Sequence, residues 1–281
     1  MSRERAIVLG LVQMSMGDDQ GENLRKATGM VEEASRSGAK IVCLPELFTS
    51  RYFPQAENAK VEAEAVPGPT TRALASAAKK NKVAIVGGSI SERAGGRLYN
   101  TSVVFDPNGR LLGKYRKVHI PQDVSFYEQT YFSSGGGYRV FRTGPAKVGV
   151  LICFDQWYPE AARAERLLGA DVLFYPTAIG TVDGVDQTEG DWQAAWETVQ
   201  RGHAISNGVV VAAANRVGRE GGMRFWGGSF VCDQFGTVLA RAGDKEQVLI
   251  ASCDLDLGRD VEDGWGFLRN RKPRTYGRLV S

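Results

Sequence analysis

Eight short apolar runs, rich in β-branched residues and spaced along the whole chain, restrict the folds open to this sequence more than any other feature. They cover residues 6–13, 40–44, 83–90, 101–105, 147–152, 172–175, 209–213 and 247–253. Several are apolar at consecutive positions, the pattern of strands buried on both faces. Between the first two lies a segment at 23–37 in which Leu24, Ala27, Val31 and Ala34 recur at helical spacing, and Gly38 follows as a stop. Further helices are expected at 70–80, 159–168 and 191–207, with Pro159 suited to a first helical position and Gly169 to a terminator. Asp106-Pro107-Asn108-Gly109 and Asp233-Gln234-Phe235-Gly236 read as turns between strands. No stretch resembles a linker and no fixed-period repeat is present, so the expectation is one α/β domain over residues 1–281, helices outside and sheets within.

Composition removes several function classes. A net charge of +3, from 35 basic and 32 acidic residues, is too small to argue for nucleic acid or an anionic membrane. No run approaches the uninterrupted apolar length of a membrane span. The start, Met-Ser-Arg-Glu-Arg followed by a short apolar stretch without a small-residue cleavage pattern, reads as the lead into a first strand rather than a signal peptide. Cys43, Cys153, Cys232 and Cys253 are scattered, without the close pairs of a zinc site, and a reducing cytoplasm fits them best. Function has to be argued from a site.

Three segments offer the chemistry for one. Cys153 ends the apolar run within Gly-Val-Leu-Ile-Cys-Phe-Asp-Gln-Trp-Tyr-Pro-Glu, residues 149–160, where a strand's exit would present a thiol; on position alone a free cysteine there reads first as a small buried hydrophobe, and activating partners have to come from the rest of the chain. Glu46, in Ile-Val-Cys-Leu-Pro-Glu-Leu-Phe, has apolar neighbours that would raise its pKa and make it a proton acceptor near neutrality. Lys117 follows Arg116 on a strand continuing from Arg110, and alternation lets one of these cations face inward to meet an oxyanion, with Lys114 and Arg116 on the solvated face. His119 shares the Lys117 face but, like His203, is read as a hydrogen-bonded structural residue.

Glutamate, lysine and cysteine in this order, each with these neighbours, make the chain resemble the nitrilase superfamily of carbon-nitrogen hydrolases over nearly its whole length. Within it, the segment from Cys153 to Arg163, Tyr175-Pro176-Thr177-Ala178-Ile179-Gly180, Gly202-His203-Ala204 and Ala214-Asn215-Arg216 are most similar to the N-carbamoylputrescine amidases. The resemblance implies a four-layer α-β-β-α sandwich of the nitrilase type. It implies Glu46 as general base, Lys117 as oxyanion stabiliser, Cys153 as nucleophile, and Glu128, just before Tyr131-Phe132, as a second glutamate that holds the lysine and the substrate. Phe154, Trp157, Thr177 and Ala178 become the expected substrate contacts. No cofactor and no metal are implied. The expected partners are a small amide or carbamoyl substrate and a second copy of the chain, in a homodimer or larger homo-oligomer that uses the helix at 159–168 and the C-terminal tail.

One segment departs from that pattern. Where the polyamine enzymes continue from Ala-Ile-Gly with Ser-Glu-Pro, this chain has Thr181-Val182-Asp183. The loop 181–191 carries four acids, which suit either a solvated surface or the wall facing a cationic substrate, and Asp183 is its candidate for a substrate amine. Three readings follow: an amidohydrolase of N-carbamoyl amines, a hydrolase of β-ureido acids or ω-amides needing an arginine at the pocket mouth, and a catalytically silent binding protein with the same sandwich.

Overall fold

The computed structural model describes residues 5–280. Residues 1–4 and 281, which include the basic start and both ends of the expected domain, lie outside the described residues. One sheet has seven strands: β1 (Ala6–Gln13), β2 (Ile41–Cys43), β3 (Ala84–Val86), β4 (Ile90–Ala94), β5 (Arg97–Phe105), β6 (Leu111–Arg116) and β16 (Gln247–Asp254). A second has six: β7 (Val140–Arg142), β8 (Lys147–Val150), β9 (Val172–Pro176), β11 (Val210–Ala214), β14 (Phe230–Cys232) and β15 (Val238–Arg241). A small third sheet joins β10 (Gly180–Val182), β13 (Met223–Trp226) and β12 (Val217–Glu220). Among the described residues there are five α-helices, α1 (Gln20–Arg36), α2 (Pro69–Asn81), α3 (Pro159–Leu167), α4 (Trp192–Asn207) and α5 (Leu257–Gly264), and five short 3-10 turns.

Strand alternation sets the layers. Leu9, Leu11, Ile41 and Cys43 pack in one cluster with Val148, Val150 and Val172 of the second sheet. Their neighbours in sequence, Val12, Val42 and Leu44, point the other way onto Ala27, Val31 and Ala34 of α1 and Leu74, Ala77 and Ala78 of α2. Ala161 and Ala162 of α3 and Trp196 and Ala204 of α4 cover the second sheet. The result is the α-β-β-α sandwich that the resemblance implies. Each fully buried Val, Leu or Phe in it contributes about 1.5–3 kcal/mol.

Local signals explain most boundaries. Asp19 caps α1, its side chain accepting from the Glu22 N–H at 2.7 Å, so the helix begins before the expected Asn23. Asp191 caps α4 through Ala194 N–H at 2.9 Å, and Gly208 closes that helix in the left-handed region. The run 83–90 is two strands rather than one. Gly88 breaks it with a φ of +52°, and a Cβ there would lie 2.1 Å from the Pro45 carbonyl oxygen. That close approach fixes the chain beside Glu46. β1, β2 and β3 run parallel, as do β8, β9 and β11. Glu46, Cys153 and Thr177 follow the carboxyl ends of β2, β8 and β9, the edge where open α/β sheets place their ligands.

Candidate active site

Glu46 is fully buried directly after Pro45. Its backbone N–H reaches the Thr177 carbonyl at 3.4 Å, and Ser89 Oγ accepts from Leu47 N–H at 2.9 Å. Leu47, the next residue, has a φ of +45°, a strained conformation for a bulky side chain. Lys117, also without exposure, bonds through Nζ to Glu46 Oε1 and to both oxygens of Glu128, each at 2.8 Å. Glu128 accepts in addition from Tyr52 Oη at 2.8 Å. Asn100 Nδ2 bridges the two carboxylates, 2.8 Å from Glu46 Oε1 and 3.3 Å from Glu128 Oε2.

Cys153 sits where the chain leaves β8. Leu151 N–H makes a bond to the Phe174 carbonyl, and two residues later Cys153 adopts a φ of +44° and opens a 3-10 turn, Cys153–Trp157. Buried Asp155 holds that elbow. It accepts from Ile152 N–H at 2.9 Å, from Tyr115 Oη at 2.8 Å and from His119 N–H at 2.9 Å, and it lies 2.7 Å from His119 Nδ1. The strand that delivers Lys117 is thereby tied to the turn that delivers Cys153. His119 also stacks on Tyr158 at 3.6 Å between ring centres, and His203 Nε2 lies 2.8 Å from the Gln156 carbonyl.

Burial dominates the electrostatics. It raises the Glu46 pKa, opposed by Lys117 and by contact with the Cys153 thiol. For Lys117, burial alone would favour the neutral amine, but Glu128 and Glu46 outweigh it and hold the ammonium charged well past the usual lysine range. The Cys153 thiol is pushed up by burial and by Glu46, against the pull of Lys117. A neutral thiol therefore faces a carboxylate able to take its proton.

A cavity of about 310 Å³ opens over Cys153. Phe126, Phe154, Trp157, Ile179 and Trp192 form its apolar walls, with Glu128 within and Asp123 at the rim. None of the described residues lining it is a lysine, arginine or histidine. Of the expected substrate contacts, Phe154 and Trp157 line this cavity, and the Ala178 carbonyl lies 3.8 Å from Cys153 Sγ. Thr177 is buried behind the wall, its hydroxyl 3.3 Å from Gln156 Oε1.

Asp183 corrects the sequence reading. The antiparallel pairing of β10 with β13 carries it away from this cavity, and its carboxylate forms an ion pair with Arg219 of β12. The acidic loop serves other ends: Asp191 caps α4, and Glu189 accepts from the Trp192 indole at 3.1 Å. Lys114 and Arg116 are not a freely solvated face either. Both engage the buried Glu92, whose carboxyl they hold at about 2 against the opposing effect of burial. Tyr52, Asn100, Asp123 and Asp155 were not singled out in the sequence, since each reads there as an ordinary polar strand or loop residue.

Comparisons with known proteins bear on the family and the fold. The family model for carbon-nitrogen hydrolase matches residues 8–263. An N-carbamoylputrescine amidase from Solanum lycopersicum is 39% identical over 99% of this chain and 96% of its own. A citrullinase from Francisella tularensis is 36% identical over 98% of each chain. The crystal structure of a carbon-nitrogen hydrolase from Helicobacter pylori superposes with a TM-score of 0.91 at 37% identity, covering 98% of this chain and 99% of that one. With a family match across nearly the whole sandwich and a buried Glu-Lys-Cys constellation at the edge of its sheets, this chain belongs to the carbon-nitrogen hydrolase family.

Proposed function

We propose that this protein hydrolyses the carbamoyl group of a small N-carbamoyl amine whose far end is cationic, giving the amine, ammonia and carbon dioxide. One observation carries the choice of substrate: the cavity over Cys153 has aromatic walls, an acid at its rim in Asp123, and no lysine, arginine or histidine among the described residues that line it. An ammonium tail is suited to such walls, through the acid and through the ring faces. Relatives named N-carbamoylputrescine amidase and citrullinase support a ureido group as the reacting end.

In this mechanism Cys153 Sγ attacks the carbamoyl carbon while Glu46 Oε2 takes the thiol proton. Lys117 and the Phe154 N–H, in the first turn after the nucleophile, face the oxygen on which negative charge develops. One C–N bond then breaks, the departing nitrogen receives the proton held by Glu46, and a thioester remains on Cys153. Water, deprotonated by the same carboxylate, attacks that thioester, restores the thiol and releases a carbamic acid, which loses carbon dioxide. Glu128 keeps Lys117 charged and in place throughout. Such proton transfer contributes about 10²–10⁴-fold in rate.

Leu167, Leu168, Ile205, Phe235 and Trp265 expose large apolar side chains around α3 and α4, which supports the homodimer reading, and sedimentation of a Leu168→Glu variant tests it. The free cysteines suit a reducing cytoplasm. The reaction is tested by ammonia release from N-carbamoylputrescine, citrulline, N-carbamoyl-β-alanine, N-carbamoyl-D-amino acids and glutaramate. Turnover of N-carbamoylputrescine above the anionic substrates is expected. Preference for N-carbamoyl-β-alanine or glutaramate would favour the β-ureido acid or ω-amidase reading, and a folded protein that turns over none would leave only a binding role.

A further inference from the structure

We infer that Arg216 and Glu220 form a buried clamp that positions both carboxylates of the site from beneath, acting on the backbone between Glu46 and Tyr52. Neither residue lines the cavity. Arg216 has no exposure, and its Nη2 donates to two successive carbonyl oxygens, Glu46 at 2.7 Å and Leu47 at 3.0 Å. Its Nη1 bonds both oxygens of Glu220, at 2.8 and 3.0 Å, and reaches the Ser50 carbonyl at 3.4 Å. Glu220 Oε2 in turn accepts from Tyr52 N–H at 2.5 Å. One buried ion pair thus grips the segment at both ends.

Each end carries a group of the site. At the first, the Glu46 side chain meets Lys117 and Asn100; at the second, Tyr52 Oη donates to Glu128. The gripped segment includes Leu47 at φ +45°, a conformation that persists only when its surroundings enforce it. The Arg216 guanidinium also lies over the Phe225 ring at 5.1 Å and the Tyr52 ring at 5.8 Å, so its plane is fixed. A planar fork that spans two adjacent carbonyls cannot be reproduced by a lysine ammonium, a point charge on a flexible stem. Arg216 and Glu220 are positioning residues. They touch no reacting atom, and they set where Glu46 and Glu128 stand relative to Cys153.

The inference rests on the roles proposed above for Glu46 and Glu128, and Glu46→Gln assayed in parallel separates the two. The assay follows ammonia release from N-carbamoylputrescine, or from whichever member of the substrate panel is turned over. Arg216→Lys is expected to lower kcat about 100-fold with KM within about threefold, the signature of displaced catalytic groups beneath intact cavity walls. Its acidic limb in the kcat–pH profile should move upward, because a loosened Glu46 loses part of the lowering that Lys117 provides. Glu220→Gln, which keeps an acceptor for both Tyr52 N–H and Arg216, should lose about tenfold and so rescue most of the rate. If Arg216→Lys does not fold, the isosteric Glu220→Gln decides by the same readouts. Wild-type kcat and an unmoved pH profile in a folded variant, with only a lower melting temperature, would reduce the clamp to a structural pair. Retained turnover in Glu46→Gln would instead remove the catalytic reading on which the clamp depends.

Discussion

Lys117 Nζ bonds Oε1 of Glu46 at 2.8 Å, Oε2 is buried without a partner in the hydrogen-bond network, and the carboxylate contacts the Cys153 thiol. In the mechanism proposed above the two oxygens have separate tasks: one binds a cation that favours the ionised carboxylate, and the other receives and returns the proton.

Replacing that carboxylate by its amide tests the division directly. Glu46→Gln keeps the size of the side chain and an oxygen for Lys117, but it cannot accept a proton from the thiol. Turnover should fall at least 10³-fold while the protein melts normally. Cys153→Ala should abolish turnover altogether; measurable hydrolysis by purified Cys153→Ala, or a loss of less than about tenfold in Glu46→Gln, would remove that residue from the mechanism.

The pH dependence follows from the same burial. Glu46 must be ionised to act, and its pKa lies above the ordinary glutamate value of 4.5, so kcat/KM should fall on the acid side through a limb above 4.5. Because the Cys153 pKa is raised rather than lowered, no thiolate-driven increase is expected between pH 7 and 9. A limb at or below 4.5, or a rate that climbs with thiol ionisation, would contradict concerted proton transfer.

Selectivity for charge should depend on Asp123 and not on Asp183. Asp123→Asn is expected to raise KM for N-carbamoylputrescine by about tenfold and to leave anionic substrates unchanged or improved. Asp183 is occupied by Arg219 outside the cavity, so Asp183→Asn should alter neither class. Equal effects of Asp123→Asn on cationic and anionic substrates would show that the rim does not read charge.

A separate prediction concerns stability. Glu165 of α3 is fully buried; Arg139 N–H reaches Oε1 at 3.5 Å, Oε2 has no partner, and a Cβ on Gly149 would fall 1.9 Å from that oxygen. Burial raises its pKa well above 4.5, so the folded state holds a proton that the unfolded chain releases above that value. Stability associated with Glu165 is fullest below pH 4.5 and declines as the pH rises toward the folded pKa. Glu165→Gln should thus melt roughly 2–4 °C higher than the native protein at pH 8 for each kcal/mol relieved, with the gap closing toward pH 5. A constant difference across that range would mean that ionisation of Glu165 is not involved.

The sequence disclosed the layers and the reacting groups more fully than the framework that holds them. Apolar runs pointed to the long strands, and Glu46 and Cys153 stood out because a polar residue ended an apolar run. The short strands β7, β10, β12 and β13 went unread, since three to four residues of mixed polarity carry too little periodicity, and β14 and β15 were signalled only by the turn at 233–236. Asn100 looks like any polar residue on a strand; its bridge between two carboxylates exists only after β5 lies beside β6. Asp183 misled for the same reason, since its partner Arg219 is 36 positions away and meets it only through the third sheet. Charge in a loop is visible in a sequence, whereas what neutralises it is a property of the fold.

The cysteines carry a practical corollary. Cys43, Cys232 and Cys253 are sealed within the strands, while Cys153 borders the cavity at 7% exposure. A small neutral alkylating reagent should consume one thiol per folded chain, and substrate should slow that consumption. The stoichiometry of that single label then counts competent catalytic sites in any preparation without reference to the substrate that the enzyme meets in the cell.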